Sequence, residues 1–281
     1  MKPTYNYING KYLTSDKAKI SVLDIGLIRG YGIFDFLVTY HNRPFLINEH
    51  INRLYNSAKM IDLNIGVNKA EMKKIILKLI KINTHLKEKT LRIIITGGVG
   101  INSLIASKKS SIIVIVQKKH NYPKDFYKNG VKIITYNYVR PMSLAKTTNY
   151  AEAVMALKIA HAKKAVEALY VNKDNNFISE ATTSNIFLIK NKKLFTPKDN
   201  LLMGITRDLI INLQKNINPV YEKNIKINEL LSADEVFMTA SNKEVMPVVK
   251  IDDKKIGIGE VGPVTKSVIK TFKNYIIRGV W

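Results

Sequence analysis

Chemistry in this chain has to come from lysines, carboxylates, hydroxyls and arginines. Cysteine is absent, which excludes a catalytic thiol, a thiolate metal site, an iron–sulfur cluster and a disulfide framework. The five histidines (41, 50, 85, 120 and 161) are scattered without metal-ligand spacing, so no metal site is expected. Gly97-Gly98-Val99-Gly100 follows neither the Walker nor the dinucleotide spacing and reads as a tight turn. What remains is a series of separated segments, beginning with Asn48-Glu49-His50-Ile51-Asn52-Arg53-Leu54 and Ser143-Leu144-Ala145-Lys146-Thr147-Thr148-Asn149-Tyr150. Ile178-Ser179-Glu180-Ala181-Thr182-Thr183-Ser184-Asn185-Ile186-Phe187 comes next, then Leu194-Phe195-Thr196-Pro197 with Gly204-Ile205-Thr206-Arg207-Asp208. Ala233-Asp234-Glu235-Val236-Phe237-Met238-Thr239 closes the series.

These segments need elements to hold them. Tyr5–Tyr12, Phe34–Tyr40 and Arg43–Ile47 have strand character, with His41-Asn42-Arg43-Pro44 supplying a turn. Apolar periodicity predicts helices over Glu49–Ile61 and Lys69–Ile82, and strands over Thr90–Thr96 and Ser111–Gln117. Lys118–Gly130 is polar, holds a proline and ends in Asn-Gly, so the domain boundary is expected there, with residues 1–119 and 131–281 as domains and 120–130 as linker. Beyond it the pattern predicts a strand at Val131–Tyr138, and a helix around Ala151–Ala168 with Asn149 near its cap and Glu152 three residues on. Strands follow near Ala168–Asn172, Asn185–Lys190, Lys193–Thr196 and Glu235–Ala240, with helices at Thr206–Gln214 and from Val264. Strands and helices mix without regular alternation, which favours α+β domains over a doubly wound sheet.

The 281 residues carry 45 basic and 22 acidic side chains, a formal charge of +23. Only seven are arginines (29, 43, 53, 92, 140, 207 and 278), and the lysines are scattered rather than clustered with aromatic residues. The charge therefore reads as solvated surface, and no nucleic-acid partner is expected. The most apolar stretches, Leu91–Ile95 and Ile112–Val116, are of strand length, and the first residues lack the apolar region of a secretory signal. No membrane partner and a cytoplasmic location are the expectations.

Together and in this order, the five segments resemble the class IV aminotransferases, the fold-type-IV pyridoxal-phosphate enzymes. The resemblance spans most of the chain. It implies a two-domain α+β fold, a small N-terminal α/β domain and a larger C-terminal pseudo-barrel domain, with pyridoxal 5'-phosphate as cofactor. Such a cofactor needs a lysine to hold it covalently and a carboxylate to keep its ring nitrogen protonated. By resemblance these are Lys146 and Glu180, and Lys146 is also the general base and acid at the substrate α-carbon. A phosphate needs backbone donors and a cation, and Gly204-Ile205-Thr206 opens a predicted helix. Ile205 and Thr206 are read as phosphate contacts, Arg53 as the family's phosphate arginine, and Ser241 as a second family phosphate position. Tyr150 resembles the branched-chain enzymes' tyrosine at the cofactor phenolic oxygen, one residue nearer the lysine than there.

The substrate is less determined. D-amino-acid transaminases carry an Arg-x-His pair after the strand ending here at Thr96, where this chain has Gly97-Gly98-Val99. Arg92 resembles the branched-chain enzymes' arginine, and Arg29 stands where relatives place an aromatic residue. The two are expected to form a carboxylate clamp, guanidinium being the preferred bidentate partner of carboxylate. Asn48–Leu54 and Glu180–Phe187 lie nearer the D-specific branch, so the reading is transfer of an amino group from a D-amino acid to a 2-oxo acid such as 2-oxoglutarate. Branched-chain L-amino-acid transamination is the alternative. Aminodeoxychorismate lyase is a further one, although its arginine-containing glycine loop is missing after Thr96. A basic nucleic-acid-associated or structural protein is supported by charge alone. The resemblance also implies a homodimer.

Overall fold

The computed structural model describes residues 2–100, 102, 104–106 and 109–281. They divide into two units, one running to His120 and taking in Ala145–Tyr150, the other comprising Asn121–Leu144 and Ala151–Trp281.

The first unit contains β1 (Tyr5–Ile8), β2 (Lys11–Thr14), α1 (Ile25–Arg29), β3 (Gly32–Tyr40), β4 (Arg43–Pro44), α2 (Ile47–Met60), α3 (Lys69–Ile82), β5 (Lys89–Thr96) and β6 (Ser111–Lys118). Its six-stranded antiparallel sheet has the order β2-β1-β6-β5-β3-β4. Period-2 alternation turns Leu91, Ile93 and Ile95 of β5 and Ile112, Val114 and Val116 of β6 into one core. There they meet Ile51 and Leu54 of α2 and Met72, Ile76 and Leu79 of α3. The α3 helix spans the residues its periodicity predicts because Asn68 and Glu71 form a reciprocal capping box at its start.

Two expectations in this unit are corrected. Tyr5–Tyr12 is not one strand but the first part of a hairpin, turned at Asn9 (φ 46) and Gly10 (φ 93), the left-handed pair that a two-residue hairpin turn demands. Arg43–Ile47 is strand only at Arg43–Pro44, since α2 already begins at Ile47.

The second unit contains α4 (Lys124–Asn129), β7 (Val131–Asn137), α5 (Ala151–Ala162), β8 (Ala168–Asn172), β9 (Phe177–Ala181), β10 (Asn185–Lys190), β11 (Lys193–Thr196), α6 (Ile205–Gln214), β12 (Val220–Glu222), β13 (Ile225–Lys226), α7 (Ile227–Leu231), β14 (Glu235–Ala240), β15 (Glu244–Ile251), β16 (Lys254–Lys255) and α8 (Pro263–Arg278). Its strands run in the order β12-β11-β10-β14-β15-β7-β8-β9-β13, with β16 on β15. Because β9 leads into β10 through the three-residue turn Thr182–Ser184, tied by Ala181 N to Ser184 O at 2.7 Å, the path from β10 round to β9 curls back on itself. Val131, Ile133, Leu169, Ile186, Met238 and Val248 fill the inside of the curl. On the outside Ala156 and Ala160 of α5 pack with Ile134 and Tyr170.

The predicted helix at Ala151–Ala168 stops at Ala162, and Lys164 turns the chain at φ 56 so that Ala168 can start β8. Residues 120–130 hold α4. The strand β15 breaks the usual rule against proline. Its pairing with β7 begins only at Val248, so Pro247 needs no donor on that side.

Candidate active site

Lys146 lies in the short segment Ala145–Tyr150, which runs along the start of β3. Phe34 N donates to Lys146 O at 2.8 Å, Thr148 N to Gly32 O at 2.9 Å, and Lys146 N to Ser57 Oγ on α2 at 3.1 Å. Thr148 Oγ1 adds a bond to Gly30 O at 2.9 Å. Backbone pairing therefore fixes the lysine to a rigid element. Its Nζ lies 4.4 Å from the centre of the Phe34 ring and 5.9 Å from that of Tyr150, and the two rings meet edge to face at 5.2 Å. Tyr150 thus stands beside Lys146. Phe34 goes unmarked as a site residue in the sequence reading, although it opens a strand the pattern predicts.

Successive residues of a strand face opposite ways, so Asp35 points away from Phe34 and toward α2. It is fully buried, accepting from Arg53 Nε at 2.8 Å and Arg53 Nη2 at 2.9 Å. His50 Nδ1 lies 2.6 Å from Asp35 Oδ1, and because a carboxylate only accepts, that nitrogen carries the proton. Burial pushes the Asp35 pKa up, but Arg53 and His50 pull it further down, leaving it below the ordinary carboxylate range. Burial drives the His50 pKa below its usual value despite the neighbouring carboxylate. Arg53 is therefore a held guanidinium, not a loose surface arginine.

Arg92 pairs across the sheet with Phe36, and its guanidinium lies 5.7 Å from the centre of that ring, on the sheet face that also carries Phe34. Arg29 is the last residue of α1, next to Gly30, whose carbonyl receives Thr148. Lys146, Tyr150 and Arg92 thus share one side of β3 and Arg53 occupies the other; Arg92 and Arg29 are both exposed, Arg29 at a helix end.

In the second unit Glu180 ends in two fixed bonds. Arg140 Nε donates to its Oε1 at 2.8 Å and Leu202 N to its Oε2 at 3.0 Å. Arg140 is itself held by the Ser143 carbonyl. The two bonds fix the orientation of the Glu180 side chain. Arg140 is given no site role in the sequence reading, where the scarcity of arginine and its position six residues before Lys146 are the available clues.

Leu202 O accepts from Asn185 Nδ2 at 2.9 Å, which links Glu180 to the start of α6. There Gly204 caps the helix without a side-chain bond, leaving the first amides of Ile205 and Thr206 to whatever lies beyond them. A β-carbon on Gly204 would come within 1.9 Å of Asn185 Oδ1, so glycine is needed for this approach. Asn185 pairs with Thr239 of β14, and Thr239 Oγ1 is buried without a hydrogen-bond partner among the described residues. Ser241 follows two residues later in the β14–β15 turn. A bare helix N-terminus, a hydroxyl left to satisfy and a carboxylate held at a fixed point fit a phosphorylated pyridine such as pyridoxal phosphate. Among the described residues no group of three or more His, Cys, Asp or Glu side chains could hold a metal ion. No helix among them is long and apolar enough to cross a membrane.

A sequence model of the amino-transferase class IV family matches residues 32–251. A Methanocaldococcus jannaschii protein, provisionally named a branched-chain-amino-acid aminotransferase, is 35% identical over 98% of this chain and 96% of its own length. The D-alanine aminotransferase of Staphylococcus haemolyticus is 31% identical, covering 96% of this chain and 97% of its own. Among solved structures, the branched-chain amino acid aminotransferase of Escherichia coli superposes with a TM-score of 0.91 at 27% identity, covering 98% of this chain and 95% of that one. A second solved branched-chain enzyme, at a TM-score of 0.90 with the same identity and coverage, is in complex with pyridoxamine 5'-phosphate. The α+β two-domain fold is that of the fold-type-IV enzymes, and the chain belongs to the class IV aminotransferases, the pyridoxal-phosphate-dependent transaminases that exchange amino groups between amino acids and 2-oxo acids.

Proposed function

We propose that the chain is a transaminase of branched-chain L-amino acids, passing the amino group to a 2-oxo acid such as 2-oxoglutarate. The observation that carries this reading is the place of Arg92. It is a guanidinium on the sheet face that presents Phe34 and Phe36, next to the ring under Lys146 Nζ. A guanidinium beside two aromatic rings suits an amino acid with a carboxylate and an apolar side chain. The M. jannaschii relative supports it as well.

Transfer from a D-amino acid is the second reading, supported by the Asn48–Leu54 and Glu180–Phe187 segments and by the staphylococcal D-alanine aminotransferases. In either reading Lys146 Nζ would anchor the cofactor, take the α-proton from the donor amino acid and, in the second half of the reaction, deliver one to the α-carbon of the acceptor. Pyridoxal phosphate supplies, when bound, the electron sink for that α-carbon. Glu180, fixed by Arg140, meets the ring nitrogen. Ile205, Thr206, Ser241 and Arg53 serve the phosphate, Tyr150 the phenolic oxygen, and Arg29 with Arg92 the substrate carboxylate. A second copy of the chain covers the apolar surface of the first unit, where Val22, Leu23, Leu27, Leu104 and Ile105 are exposed.

The test is a panel of L-leucine, D-alanine and aminodeoxychorismate added to the loaded enzyme, reading the cofactor absorption band. L-leucine should convert it with the highest kcat/KM, whereas preference for D-alanine would install the second reading. Arg92→Lys should raise KM about tenfold, the loss of one charge-assisted bond. Unchanged KM in both Arg92→Lys and Arg29→Lys would remove the clamp.

A further inference from the structure

Lys243 and Glu167 form an ion pair in the second unit with both side chains buried, and neither belongs to the residues assigned above. Glu167 directly precedes β8. Its Oε2 accepts from Thr182 Oγ1 and Thr183 N, each at 3.1 Å, and its Oε1 from Ser184 Oγ at 3.0 Å and from the Thr183 hydroxyl. Those three residues are the whole turn between Glu180's strand and Asn185's strand.

Lys243 closes the other turn, Ser241–Lys243, between Ala240 and Glu244, the paired ends of β14 and β15. Its Nζ also donates to Thr183 Oγ1 at 2.6 Å, and its carbonyl accepts from Tyr127 OH at 3.2 Å. Glu244 follows at φ 58, the left-handed position that a three-residue hairpin loop normally gives to glycine. The backbone alone thus disfavours this turn, and the buried lysine anchors it. Stability is a weak reason for such a pair, because desolvating two charges offsets much of their attraction. Tying two turns together is a better one.

We propose that Lys243 and Glu167 are positioning residues whose ion pair sets the spacing between the turn after Glu180 and the turn that carries Ser241, and so aligns the ring-nitrogen carboxylate with the phosphate position. The inference rests on the reading of Glu180 and Ser241 as cofactor contacts. A role in alignment changes cofactor parameters in the folded protein, whereas a role in stability alone changes only Tm.

The experiment measures the Kd for pyridoxal phosphate, the absorption maximum of the bound cofactor, and kcat at saturating cofactor. Lys243→Met is compared with Glu167→Gln/Lys243→Met, which avoids an unpaired buried carboxylate, and with Thr183→Val, a milder cut of the same link. The folded variants should bind pyridoxal phosphate about tenfold or more weakly, with a shifted absorption maximum and reduced kcat. Wild-type Kd, absorption and kcat in any folded Lys243 variant, or in Thr183→Val if neither Lys243 variant folds, overturn the proposal even if Tm falls. A wild-type protein that takes up no pyridoxal phosphate fails differently, overturning the site assignment itself and this proposal with it.

Discussion

Each unit locks an arginine to a carboxylate, with the functional partner exchanged. In the first unit the arginine, Arg53, is the residue assigned to the cofactor phosphate, and Asp35 holds it. In the second the carboxylate, Glu180, is the assigned residue, and Arg140 holds it. Asp35 is completely buried and serves Arg53 and His50 together, while Glu180 and Arg140 both keep some exposure. The two arginines are alike in exposure, at 14% for Arg53 and 13% for Arg140, so the difference lies in the carboxylates, Asp35 fully buried with two partners and Glu180 slightly exposed. Breaking them should show the difference, chiefly as lost stability for Asp35 and chiefly as lost cofactor affinity for Arg140.

Asp35→Asn should have the largest effect, about 3–5 kcal/mol of unfolding free energy, because it removes the fully buried carboxylate on which both Arg53 and the buried His50 depend. Chemical denaturation of the purified variant measures this, and a loss under about 1 kcal/mol would break the contrast. Arg140→Met should instead weaken cofactor binding by roughly ten- to a hundredfold with little change in Tm, matching one lost charge-assisted bond to Glu180. Titration with pyridoxal phosphate decides it. Gly204→Ala places a methyl where Asn185 Oδ1 now lies and should cost about 1 kcal/mol of cofactor binding, roughly fivefold in Kd.

The smallest effect is in pH dependence. Both Asp35 and His50 titrate below their ordinary values, so each contributes stability that is present above its unfolded pKa and lost as pH falls. Tm should stay level above about pH 7, begin to fall below about 6.5 as the unfolded histidine gains a proton, and fall again near pH 4. His50→Gln should remove the first step and keep the second. A Tm that rises on mild acidification would contradict the placement of a neutral, buried His50.

The same contrast explains what is legible in the sequence. Lys146, Glu180 and the Gly204-Ile205-Thr206 turn stand in local motifs, and α3, β8, β10, β11 and β14 follow their periodicity to the residue. The partners do not. Asp35 is 18 residues from Arg53 and Arg140 is 40 from Glu180, so only the folded topology selects them. Lys243 reads as one more surface lysine in a chain of +23, and burial alone sets it apart. The strand β15 is hidden in the sequence because Pro247 interrupts its pattern, a break the structure tolerates where β7 pairing has not begun.

The central claim is that the amine of Lys146 anchors the cofactor. Reducing the pyridoxal-phosphate-loaded protein with borohydride and mapping its peptides by mass spectrometry tests it directly. The account predicts the phosphopyridoxyl label on Lys146, and none in Lys146→Ala together with loss of activity by about a thousandfold or more. A label on another lysine, or a labelled and active Lys146→Ala protein, would contradict it.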